Sequence, residues 1–273
     1  MIISHDQLKK LQQVELQALI KFDQICRKYD IPYTLFGGTL IGAVRHHGFI
    51  PWDDDVDVLL TRQNFEKLRR IPAQEWGDDY FYQSHYTDHN YRYSYDKLRV
   101  NHTYFGEEAL IGTGIKNNGV FVDIFPADKV SKDYRYQLQV IEFMICRLLF
   151  MAKYININYR HGFEKKVAQL IRVLFKGISL DKFYQFNEKL IQKYDNSNFK
   201  YYCSFDSFNI KNEVYPEKFL TELEYTDFEG HQFLISKHYD AMLKEGYGNY
   251  MQLPPKEKQV NKHEVTALKL TKD

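Results

Sequence analysis

The chain has 273 residues, room for one large domain or two modest ones with a full core. Hydrophobic residues at 44% and charged residues at 27% exclude a disordered chain. Lys and Arg number 37 against 36 Asp and Glu, so the basic excess of a nucleic-acid binder is absent and electrostatic function must come from local clusters.

Ser4 and Gln7 have capping-box spacing, and Leu8, Leu11, Val14, Leu19, Phe22, Ile25 and Tyr29 follow at helical spacing, so the chain opens on a helix. This start lacks the apolar core of a signal peptide. "IPYTLF" predicts a strand ending at Gly37-Gly38, "TLIGAVRH" a brief helix, and "VDVLL" the next strand. "TRQNFEKLRRIP" predicts a helix capped by Thr61. Strands are expected at "YFYQS", "YSYDKLRV", "TYF" and "GVFVDIFP". After residue 128 helices dominate: one capped by Ser131, then "GFEKKVAQLIRVLFKGI" and "DKFYQFNEKLIQKY". Short strands, a turn at Glu229-Gly230 and a helix capped by Ser236 close the chain. The pattern divides into residues 1–128, a sheet with helices, and 129–273, a mainly helical lobe with a short hairpin. The longest apolar stretch, Val140 to Ile155, carries Glu142, Arg147 and Lys153 and falls short of the roughly 20 residues of a membrane span. That stretch predicts a soluble or peripheral protein, and the isolated Cys26, Cys146 and Cys203 fit a reducing cytoplasm better than a disulfide framework.

"GFIPWDDDVDVLL" places four aspartates in positions 53–57 ahead of an apolar strand. Alternation along a strand turns Asp55 and Asp57 to one face and Val56 and Val58 to the other. Paired carboxylates suit Mg²⁺ or Mn²⁺, although a lone D-x-D arises often in surface loops. Gly37-Gly38 between strand and helix reads either as a phosphate-binding turn or as a plain tight turn. Asp123, inside the apolar run "VFVDIFP", needs a metal, a cation or an exposed edge. Strand, Gly-Gly, helix, D-x-D strand and a third Asp on a later strand is the order of the nucleotidyltransferase-fold superfamily. There, three carboxylates hold two metals about 3.5–4 Å apart.

"IPYTLFGGTLIGAVRHHGFIPWDDDVDV", "GVFVDIFPAD" and the tail from "YPEKFL" to "NYMQLPP" resemble the blocks of the LicD family, bacterial phosphocholine transferases related to fukutin. The resemblance runs from about residue 7 to 263 and is thinnest over 131–195. It implies an α+β fold, a nucleotidyltransferase-like mixed sheet with flanking helices plus a mainly helical C-terminal lobe. It also implies transfer of a phosphoalcohol, foremost phosphocholine, from a CDP-alcohol donor to a sugar hydroxyl of a cell-surface glycan or its lipid-linked precursor, releasing CMP. Carried over by motif, Asp55, Asp57 and Asp123 are the metal ligands and catalytic carboxylates.

On that reading Gly37, Gly38 and Thr39 hold phosphate oxygens, and Arg45, Lys97 and Arg99 offset phosphate charge. Asp53 supports the ligands from behind by capping the turn or orienting Arg45, while Asp54 is left as an exposed acid. Trp52 stacks on the cytosine or lines the alcohol pocket, with Tyr33 and Phe36 as further aromatic faces for a quaternary ammonium. His46, His47 and His263 read as solvated or capping residues. The basic helix 163–177 either packs its apolar face on the core or rests on anionic lipid at the inner membrane face. Two other readings stay open from the residues alone: transfer of a whole NMP from an NTP, and a silent scaffold for glycan assembly.

Overall fold

The computed structural model describes residues 3–154, 157, 161–207, 210, 213–261, 263 and 265–270; Ile155 lies outside this set. Helix α1 (His5–Lys28) starts at the expected capping box, with Gln7 N donating to Ser4 Oγ and Ser4 N to Gln7 Oε1. Its buried stripe of Leu8, Leu11, Leu19, Phe22 and Ile25 packs across the sheet. That sheet has seven strands, with β1 (Thr34–Leu35), β2 (Asp57–Thr61), β6 (Phe121–Val130), β4 (Asp96–Val100) and β3 (Tyr80–Gln83) side by side in that order. Strands β7 (Tyr201–Cys203) and β8 (Val214–Pro216) extend it from β6. The β2–β6 pair is parallel and the other pairs are antiparallel. The fold is thus the α+β mixed sheet with flanking helices that the sequence implies.

Helix α2 (Gly37–His46) follows β1, and α3 (Arg62–Arg69) follows β2 behind a Thr61 cap that accepts from Asn64 N. Two buried ion pairs fasten α3 to the sheet. Arg62 grips Asp128 at 2.7 and 2.9 Å, and Arg69 grips Asp96 at 2.8 and 3.0 Å. The short helix α4 (Ala73–Trp76) was not anticipated; it buries Trp76 against Tyr82.

Past β5 (Tyr104–Glu107) come α5 (Tyr134–Tyr154), α6 (Gly162–Leu174) and α7 (Leu180–Ile191). Ser131 does not cap α5 directly. It donates to Asp133, whose carboxylate accepts from Arg135 N. A short α8 (Lys218–Thr221) precedes the hairpin of β9 (Leu223–Phe228) and β10 (His231–Ser236), which turns at Glu229-Gly230 with both residues at positive φ. Helix α9 (Tyr239–Tyr247) follows, and β11 (Val265–Lys269) returns to pair with β5. Residue 128 lies within β6, and Tyr202, Tyr215, Phe228, Phe233 and Met242 join the core begun by α1, β1 and β2.

Candidate active site

The parallel register of β2 and β6 sets Asp57 directly beside Asp123. Val56 prolongs the ladder through its carbonyl, which accepts from Asp123 N at 2.8 Å. With Val56 and Val58 fully buried on the core side, Asp55 and Asp57 turn the other way, as strand alternation requires. Asp55, Asp57 and Asp123 line one cavity of about 630 Å³, within the range of small-molecule sites.

Helix α2 builds the floor beside them. Gly37 sits at φ +54°, where a Cβ would meet Asp57 Oδ2 at 3.0 Å, and a Cβ on Gly38 would fall 2.5 Å from Asp53 Oδ2. Two carboxylates therefore approach the helix N-terminus, where its dipole favours negative charge. Thr39 is buried, and its hydroxyl accepts from Asp57 N at 2.8 Å. Of the three residues expected on phosphate, only Gly37 lies on the cavity wall. Thr39 holds the Asp57 backbone, and Gly38 leaves room for the Asp53 carboxylate.

The expected cations are placed differently from the sequence reading. Lys97 is paired with Asp123 across β4 and β6, its ammonium 2.6 Å from Asp123 Oδ1 and nearly free of solvent exposure. Arg99 is fully buried, donating to Gln83 Oε1 at 2.8 Å and to Gly119 O at 2.7 Å. Arg45 donates to the Tyr250 carbonyl and to His46 Nε2. None of the three lines the cavity; Arg92 and Arg147 do. Trp52 packs on the core near His46, and Tyr33 donates to Asp23 beneath α1, so of the proposed aromatic faces only Phe36 reaches the cavity. The aromatic wall is instead Tyr93, Tyr95 and Phe125, with Tyr95 centred 5.0 Å from Tyr93 and 4.5 Å from Phe125.

Asp54 is fully buried rather than exposed. His263, read as a solvated residue, donates its backbone N–H to Asp54 Oδ2 at 3.3 Å and sets Nδ1 3.1 Å from Oδ1. Pairing of β11 with β5 brings this tail over the acidic loop. Burial pulls the imidazole down, but the Asp54 hydrogen bond and the Asp55 charge outweigh it and lift His263 to about 9.

Glu15 is the other acid that the sequence reading missed. It occupies the inward stripe of α1 and is fully buried, and neither carboxylate oxygen has a hydrogen-bond partner among the described residues. Burial first, then the charges of Asp55, Asp54, Asp53 and Asp123, push it well above the usual carboxylate range. Asp57 is raised by burial and by Asp55, Asp123 and Asp53, against the pull of Lys97. Burial likewise lifts Asp123 to about 6 in spite of Lys97. This surplus of buried acid around Lys97 and His263 fits a divalent cation, and carboxylate oxygen is the donor set a hard ion prefers. Asp53, Asp54 and Asp55 also bring ligand atoms within 4.8 Å of one another. Because Asp54 already faces His263 and Asp53 faces Gly38, Asp55 is the member of that trio on the cavity wall.

Residues 30–181 match the family described as "LicD/FKTN/FKRP, nucleotidyltransferase domain". The chain is 30% identical to "Lipopolysaccharide cholinephosphotransferase LicD" of Haemophilus influenzae, across 94% of this chain and 96% of that protein. It is 23% identical to the uncharacterized protein RT0683 of Rickettsia typhi, across 86% of this chain and 58% of that one. A 78-residue stretch is 35% identical to RP689 of Rickettsia prowazekii, covering 26% of this chain and 29% of that protein. The chain belongs to the LicD family and is an enzyme of its phosphotransferase type.

Proposed function

We propose that this enzyme transfers phosphocholine from CDP-choline to a hydroxyl of lipopolysaccharide or its lipid-linked precursor and releases CMP. The reading rests on one observation above the others: Asp55, Asp57 and Asp123 share a cavity that nine Phe and Tyr side chains also line. The polar end suits a charged pyrophosphate. The Tyr93, Tyr95 and Phe125 faces suit a quaternary ammonium, for which an aromatic face contributes about 0.5–2 kcal/mol. The similarity to the Haemophilus enzyme supplies the alcohol and the acceptor class.

Asp55, Asp57 and Asp123 are the residues that would hold Mg²⁺ or Mn²⁺. The bound ion would neutralise phosphate charge on the departing nucleotide. Lys97 fixes the Asp123 carboxylate from the side away from Asp57, since β6 lies between β2 and β4. Thr39 fixes the Asp57 backbone, and Gly37 lets the helix start close against its carboxylate. Arg92 and Arg147 bring positive charge to the cavity for the donor's remaining phosphate oxygens. Asp123 takes the proton of the acceptor hydroxyl.

A second reading, transfer of an NMP from an NTP, is favoured by the nucleotidyltransferase description of the matched family. Product analysis separates the two. With CDP-choline, Mg²⁺ and a lipopolysaccharide acceptor, the first reading requires CMP in step with choline incorporated into the acceptor. Pyrophosphate released from CTP or UTP with no CMP from CDP-choline would establish the second. No product from either donor would count against both readings and point to a different donor or acceptor.

A further inference from the structure

We infer that the outward face of α5 and α6 is a docking surface for an anionic lipid bilayer. No helix among the described residues is long and apolar enough to cross a membrane. Helix α6 inverts the usual amphipathic arrangement: among its residues only Ala168 is buried. Phe163, Leu170 and Leu174, spaced to share one helix face, are exposed at 80%, 58% and 69%. Helix α5 packs beside it, and its exposed Leu138, Ile141, Ile145 and Leu148 recur every three or four residues on one face. Exposed apolar residues thus stand in ordered stripes on two helices packed against each other, and a soluble monomer rarely leaves so much apolar surface bare.

Charge identifies the occupant. Between residues 132 and 177 the chain carries eight Lys and Arg besides Arg147 of the cavity, against three Asp and Glu, in a protein whose net charge is only +1. Lys166 and Lys176 are exposed on or just beyond α6. An apolar face flanked by basic side chains is what holds a helix in the headgroup plane of an anionic bilayer. A second copy of the chain fits poorly, because two such faces would bring like charges together.

Position explains what docking would achieve. Met144, Arg147, Phe150 and Met151 of α5 also line the catalytic cavity, so one helix borders both the site and the bare face. A bilayer against α5 and α6 lies next to the apolar end of the cavity, where an acceptor hydroxyl on a lipid carrier can enter without leaving the membrane. This last step rests on the transferase reading; the docking surface does not.

The test is co-sedimentation of the full chain with vesicles of phosphatidylcholine alone and of phosphatidylcholine with phosphatidylglycerol. Binding is expected only to the anionic vesicles and should weaken as salt is raised. Leu170→Glu with Leu174→Glu should abolish it. Lys166→Gln with Lys176→Gln should weaken it roughly 30-fold, at about 1 kcal/mol for each basic side chain near the surface. All four positions are exposed and lie outside the catalytic cavity, so CMP release with a water-soluble acceptor should be unchanged in both variants. Absence of binding to either vesicle, or equal binding to both, overturns the inference. So does a dimer seen by light scattering that Leu170→Glu with Leu174→Glu splits, since a second copy then covers the face. Vesicle binding is read without any transfer reaction, so its failure would leave the phosphocholine reading standing.

Discussion

Lys97 and Asp123 face each other across antiparallel strands, the ammonium 2.6 Å from Oδ1, with both side chains almost wholly buried. Removing one member of a buried pair strands the other, which typically costs about 3–5 kcal/mol, whereas removing both can be nearly neutral. Lys97→Met should therefore lower stability by that amount in urea, and Lys97→Met with Asp123→Asn should recover most of it. Equal stabilities for the single and double variants would mean that the two groups are not coupled.

The same logic applies at Asp96, which accepts both ends of the Arg69 guanidinium and the Tyr82 hydroxyl. Asp96→Ala should cost about 3–5 kcal/mol and lower the urea midpoint without removing metal-dependent ligand binding, because Asp96 does not line the cavity. A variant that folds normally yet loses the ligand response would place Asp96 in the site.

Much of this was legible in the sequence, for physical reasons. Asp55, Val56, Asp57 and Val58 alternate, so their faces follow from strand geometry, and Ser4 with Gln7 fixes the start of α1 through local bonds alone. The contacts that escaped are remote in sequence. Asp54 and His263 are 209 positions apart, and only the β5–β11 pairing brings them together. Glu15 carried a readable signal, a charge in the inward stripe of a helix, but its target became visible only when the acidic loop was folded over it. Arg99 shares its strand face with Lys97 as expected, yet Gln83 and Gly119 claim its guanidinium, and alternation cannot reveal such partners.

The His263–Asp54 contact predicts a stability change that should not depend on donor. His263→Ala removes a hydrogen bond to a buried carboxylate, of about 1.5–3 kcal/mol. It should lower the urea midpoint accordingly, and a midpoint equal to that of the wild type would deny the tail its role in holding the acidic loop.

Away from the site, Asp195 supplies a pH test. Burial first and the neighbouring Asp128 carboxylate second push it up to about 7, so the folded state binds a proton that the unfolded chain releases near pH 4. The stability tied to that proton is complete below about pH 4 and is lost as pH rises through about 7. Asp195→Asn should thus gain stability relative to wild type at pH 8 more than at pH 5, read as urea midpoints. An equal effect at both values would contradict the shift.

If the Tyr93–Tyr95–Phe125 wall receives the quaternary ammonium, Tyr95→Leu should erode the preference for CDP-choline over CDP-ethanolamine. A contact of about 0.5–2 kcal/mol corresponds to roughly a 2- to 30-fold loss in the kcat/KM ratio of the two donors. An unchanged ratio would move the alcohol elsewhere in the cavity.

If Asp55, Asp57 and Asp123 together hold the metal and the nucleotide-linked donor, thermal unfolding of wild type and Asp57→Asn with CDP-choline, each with and without Mg²⁺, will report it. Ligand that binds only the folded state raises the melting temperature by mass action. The wild type should shift only when metal and CDP-choline are both present. Asp57→Asn should show no such shift, yet melt higher than wild type without ligand, since one charge has left a crowded acidic cluster. A metal-dependent shift that survives in Asp57→Asn would place the metal and donor elsewhere.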